Sequence, residues 1–148
     1  MNRRKKYLTG NDIWGWYNPT NKNEYALVGL NDGFSVVNIT NPTYPIEEFF
    51  IADSNSVWRD IKTWGNYAYI TSEANVGLLI VDLSDMTGET YWHISHFTNP
   101  LTDASISFTS AHNLYIDEKG ICYIYGSNSN QTKGVIFLDV DANSKNPV

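Results

Sequence analysis

Val57–Ser84 reads VWRDIKTWGNYAYITSEANVGLLIVDLS. Trp58-Arg59-Asp60-Ile61-Lys62 opens the stretch with charges beside aromatics, and Tyr67-Ala68-Tyr69-Ile70 is a compact β-prone run. Gly77-Leu78-Leu79-Ile80-Val81-Asp82-Leu83 is apolar, rich in strand formers and too short for a helix. The stretch therefore predicts three short strands. The same pattern can be laid over the residues on either side. A repeated unit cannot bury its own face and must stack on its neighbours, so the repeat decides the fold class.

Before this stretch, Asp12-Ile13-Trp14-Gly15-Trp16 predicts an opening strand, Glu24–Leu30 a second, Phe34–Thr40 a third and Ile46–Ala52 a fourth. Asn31-Asp32-Gly33 is a hairpin signal, with glycine where positive φ is needed. Within the central unit, Tyr91–Phe97 predicts a fourth strand. After it, Ala111–Ile116, Cys122–Ser127 and Gly134–Val140 predict three strands of a third unit, with insertions at about 99–109 and 128–133. Asp82-Leu83-Ser84 matches Asn38-Ile39-Thr40, and Asp139-Val140 matches Asp82-Leu83. No window shows helical periodicity. Units of roughly 40–55 residues with four short strands each are the signature of propeller blades. The expected fold is all-β: a β-propeller fragment of about three four-stranded blades, at about residues 11–53, 54–104 and 105–148, after a basic N-terminal arm over residues 1–10.

Composition agrees. Five Trp, ten Tyr and six Phe, with many Thr, Val and Ile, favour strands. The formal net charge is −6, but Arg3, Arg4, Lys5 and Lys6 hold four of the ten basic residues. The remaining body is strongly acidic, which argues against a nucleic-acid partner, because phosphates need a basic face. No stretch approaches the ~20 apolar residues of a membrane-spanning helix. Tyr7-Leu8-Thr9-Gly10 supplies no apolar core for a signal peptide after the basic residues. The single cysteine, Cys122, lies inside Ile121-Cys122-Tyr123-Ile124-Tyr125 and is expected to be a small buried hydrophobe.

Several of these segments carry a resemblance. Asn11–Trp16, Tyr25–Leu30, Trp58-Arg59-Asp60-Ile61-Lys62, Ser72-Glu73-Ala74 and Ala111-His112-Asn113 resemble the start of the choice-of-anchor B family. Leu79-Ile80-Val81-Asp82 is similar to the core of that family's LVIVD repeat. The resemblance covers almost all of residues 11–148. It implies a β-propeller that is extracellular or at the bacterial cell surface in its full-length form, tethered by a separable C-terminal anchor. It implies no particular reaction. The family's export signal, anchor and later blades, with a further His-Asp motif, have no counterpart in these residues.

Closed propellers have about 4–8 blades. Three leave two apolar end faces uncovered, each ending in unpaired backbone groups. The reading expects a fragment of a longer product, with the pairing of two chains into a six-bladed ring as the alternative.

The first strand of a blade lines the central channel, so repeat-equivalent residues there converge on one rim. Asp12, Arg59, Asp60, His112 and Asn113 are thereby expected near one another, with Trp14, Trp58, Lys62 and Glu73 beside them. Arg59 could grip a carboxylate or phosphate with its forked donors. Asp12, Asp60 and His112 are the candidate ligands of a divalent cation, and the two carboxylates could serve as acid and base if their pKa values split. The competing reading has these groups bonding to backbone amides of the next blade and holding the ring in register. The favoured function is a non-enzymatic binding module for a protein, glycan or small molecule. The alternative is a metal-dependent hydrolase on the channel rim. His93 and His96, three apart on a predicted strand, would point to opposite faces and make a poor zinc pair.

Overall fold

The computed structural model describes residues 9–132 and 134–148, so most of the expected basic arm, residues 1–8, lies outside it. The described chain is all-β. Strands β1 (Gly10–Tyr17), β2 (Glu24–Leu30), β3 (Gly33–Asn38) and β4 (Ile46–Ala52) form one antiparallel sheet in chain order. Strands β5 (Arg59–Trp64), β6 (Tyr67–Ser72), β7 (Leu78–Asp82) and β8 (Tyr91–Ile94) form a second of the same topology. A hairpin, β9 (His96–Thr98) with β10 (Ser105–Ser107), leads to a third sheet of β11 (Asn113–Ile116), β12 (Ile121–Tyr125) and β13 (Ile136–Asp139).

Strand register makes the three sheets copies of one unit. Tyr25 pairs with Asn38, Tyr67 with Asp82 and Ile121 with Asp139, so FSVVN, LLIVD and VIFLD occupy equivalent positions. Asp82 then accepts no break: its N–H donates to Thr90 O at 3.0 Å, leading into β8. In the third sheet, Asp139 N–H donates to Val148 O at 2.8 Å, which puts Val148 in the fourth-strand position.

Leu78, Leu79, Ile80 and Val81 are all buried, which explains an apolar run with no alternation. Alternate side chains leave a strand on opposite faces, and β7 has a sheet on each side. Leu79 and Val81 enter a core with Leu27, Phe34 and Val36 of the first sheet. Leu78 and Ile80 enter a second core with Leu114, Cys122, Ile124, Ile136 and Leu138 of the third. The middle blade is therefore shared by both cores.

One expected strand is corrected. Tyr91–Phe97 is not continuous: β8 ends at Ile94, and Ser95 O accepts a hydrogen bond from Phe108 N–H at 3.1 Å. Trp92 and Ile94 point inward on even positions, so a straight strand would turn Phe97 outward. The break reverses the parity, and Phe97 stacks on Phe108 in the second core, with ring centroids 5.3 Å apart. The Asn31-Asp32 hairpin closes as expected, with Leu30 paired to Gly33. Gly33 has φ 156°, and a Cβ there would meet Ile51 O at 2.1 Å, so close approach demands glycine as much as φ does.

Candidate functional site

The inner edges of β1, β5 and β11 meet at a cleft of about 210 Å³ lined by Asn11, Asp12, Trp58, Arg59, Asp60, His112 and Asn113. The opening strands thus bring together most of the residues expected at the rim. Asp60 and His112 both line it.

The acids do structural work. Asp12 Oδ2 accepts the backbone N–H of Ile61 at 2.9 Å, and Asp60 Oδ2 accepts that of Leu114 at 2.8 Å. Ile61 follows Asp60 in sequence and Leu114 follows Asn113, so the two bonds are equivalent across successive blades. Each opening strand offers a side-chain acceptor to the edge amide of the next. Asn11 Oδ1 adds a bond from Arg59 N–H at 2.8 Å. This residue escaped the sequence reading, although it adjoins Asp12. The expectation that such groups hold the blades in register describes these contacts.

Lys62 neutralises the pair. Its ammonium lies 3.0 Å from Asp60 Oδ1 and 3.9 Å from Asp12 Oδ2, donates to Ile61 O at 2.8 Å, and sits 4.6 Å from the centre of the Trp14 ring. Trp14 Nε1 donates to Thr63 Oγ1 at 3.0 Å and Trp16 Nε1 to Gly65 O at 3.0 Å, so both indoles join the first blade to the second. Burial, and a hydrogen bond shared with Asp60, raise the Asp12 carboxyl above its ordinary value. Burial acts on Asp60 in the same sense but is outweighed by bonds from Asp12, Leu114 N–H and Lys62, and its pKa is lowered. The two carboxyls are thus split.

Arg59 departs from its expected role. It is 1% exposed, and its guanidinium faces the framework: Nη1 pairs with Asp53 Oδ2 at 2.7 Å, Nε donates to Leu30 O at 2.8 Å, and Nη2 donates to Ser54 O. Asp53 also approaches His93 Nε2, at 3.4 Å. A buried arginine with all three nitrogens engaged has no fork to offer a ligand. Its partner Asp53 lies in the linker before β5, and no local pattern marks it.

The outward groups are different. Trp58 is 47% exposed and lies against His112, ring centroids 5.6 Å apart. His112 Nδ1 is 2.8 Å from Glu73 Oε1, and both side chains are about half exposed. Among the described residues no group of three or more His, Cys, Asp or Glu is placed to hold a metal ion. In this arrangement the Asp12 and Asp60 carboxylates accept backbone amides, Lys62 pairs with Asp60, and the His112 imidazole turns to Glu73. Cys122 is buried as expected, and burial pushes its thiol up to about 12, leaving it unreactive at neutral pH.

The LVIVD repeat model matches residues 22–55 and 58–90, which span β2–β4 and β5–β7. The chain thus carries two LVIVD repeats, each lying within one of the blade-like antiparallel sheets. No curated protein and no solved structure matches it.

Proposed function

We propose that the chain is a non-enzymatic binding module on a propeller scaffold, with its ligand site at the channel rim, and that it works at the bacterial cell surface as the choice-of-anchor B resemblance implies. One observation carries the reading. At and beside the cleft, Asp12, Arg59, Asp60 and Lys62 are bonded into the framework, whereas Trp58, Glu73, His112 and Asn113 are exposed. An exposed indole beside an imidazole–carboxylate pair and a carboxamide suits a small polar ligand with one flat or apolar face, such as a sugar or a short peptide.

The test is quenching of tryptophan fluorescence on titration with a panel of oligosaccharides and short peptides, for the chain and for Trp58→Ala and His112→Ala. Saturable quenching that both variants lose supports the site. The same quenching in both variants would remove it from this cleft. The alternative metal-dependent hydrolase makes a separate prediction: melting temperature rises with calcium or zinc, and Asp60→Ala with His112→Ala abolishes the rise. That result would displace the binding reading.

A further inference from the structure

Away from the rim, a second cleft of about 480 Å³, more than twice the volume of the first, lies between the β9–β10 hairpin and the connection from β12 to β13. Both pieces are additions to the repeat. The second and third strands of the first sheet are joined by residues 31–32 and those of the second by residues 73–77, whereas β12 and β13 are joined by residues 126–135. The β9–β10 hairpin has no counterpart between β4 and β5. The first two sheets form without either addition, so strand pairing within a blade does not explain them.

Side-chain amides stitch the two additions together. Gln131 Oε1 accepts the Ser107 N–H at 2.7 Å, and its Nε2 donates to Ser105 O at 2.8 Å. Asn128 Oδ1 accepts the N–H of Thr109 at 2.9 Å and that of Ser110 at 3.1 Å, while Nδ2 donates to Thr109 Oγ1 at 2.9 Å. These bonds fix both carboxamides in orientation, and each keeps one N–H of its amide group unspent. Asn130 and Ser95, which also line the cleft, are exposed, and their side chains hold no hydrogen bond among the described residues. Phe108 supplies an apolar wall.

The lining selects the chemistry of an occupant. No charged side chain among the described residues lines the cleft, so an ionic ligand would give up hydration without meeting a counter-charge. Carboxamides and hydroxyls both donate and accept, as the hydroxyl groups of a sugar do. The volume falls within the roughly 300–1,000 Å³ of small-molecule sites. We propose that this cleft binds a neutral saccharide. Asn130 and Ser95 are its free hydrogen-bonding groups, and the spare N–H groups of Asn128 and Gln131 donate to the sugar hydroxyls. The site is separate from the rim and does not depend on a ligand there.

The test is an NMR titration of the ¹⁵N-labelled chain with glucose, galactose, mannose, maltose, cellobiose and lactose, with glucuronate as the charged control. Saturable shifts of the side-chain amide signals of Asn128, Asn130 and Gln131 are expected with at least one neutral sugar, and weaker binding of glucuronate. Asn130→Ala, which removes no hydrogen bond of the free protein, is expected to weaken that binding roughly tenfold. Trp58→Ala is expected to leave the shifts of these signals in place, and circular-dichroism melts check that both variants stay folded. Three outcomes overturn the proposal: no saturable shift of these signals with any neutral sugar, an affinity that Asn130→Ala leaves unchanged, or glucuronate binding as tightly as the best neutral sugar. Shifts abolished by Trp58→Ala would assign the binding to the rim and overturn it as well.

Discussion

Asp60 shows how much one side chain of this repeat carries. Its carboxylate accepts the Leu114 amide and the Lys62 ammonium, and it belongs to a split pair with Asp12. Removing it leaves an amide and a cation without their acceptor, and Asp60→Ala is expected to lower stability by about 2–4 kcal/mol in urea unfolding. Acid sensitivity follows from the pKa directions. Asp53 and Asp60 are lowered from 3.8, so their stabilisation is full above 3.8 and is lost as pH falls through their folded values. Asp12 is raised, so its contribution has the opposite sign: it is full below 3.8 and lost as pH rises through the raised value. Against the burial that raises it, the bonds from His93 and the Ser54 N–H and the charge of Arg59 hold Asp53 low, so Asp53→Asn should melt below the parent at neutral pH. The gap should narrow as pH drops below 3.8; a gap independent of pH would contradict this assignment.

At the scale of the element, β7 depends on the glycine before it. Gly77 has φ 80°, and a Cβ there would meet Ile94 O at 2.4 Å, a backbone atom of the neighbouring strand. Its N–H also donates to Thr109 O at 2.7 Å, tying the start of the LLIVD strand to the segment entering the third blade. Gly77→Ala combines a left-handed backbone with a clash that no rotamer relieves, and should cost more than ~2 kcal/mol by thermal or urea unfolding. Gly65, also at positive φ (55°) but with open space around its Cβ position, is the control and should cost less. Most strands were legible because hydrophobic pattern and turn residues are local: β2 and β4 fall on the residues expected of them. The end of β8 was not. Its signal is a parity change between Ile94 and Phe97, which matters only because a core lies on one side of that strand.

Across the whole molecule the middle blade ties the described sheets together. Leu79 lies in the core against the first blade and Leu78 in the core against the third. Each Leu→Ala substitution should cost about 2–5 kcal/mol. Because the blade between the cores is common to both, either substitution should shift tryptophan fluorescence and circular-dichroism transitions together rather than separate them. Two separated transitions in Leu78→Ala would show that the cores unfold independently.

The repeat, the all-β class and the set of residues near the rim were written in the sequence, because strand period and turn chemistry act within a few residues and blade equivalence carries them to one place. What the side chains there do was decided by tertiary structure. Arg59 and Asp60 are neighbours of similar polarity, yet one guanidinium is enclosed by Leu30, Asp53 and Ser54 while its neighbour reaches the third blade. Leu30 and Leu114 come from distant segments and Asp53 and Ser54 from the preceding linker, and the direction in which a charge finds its acceptor is fixed only once the sheets have stacked.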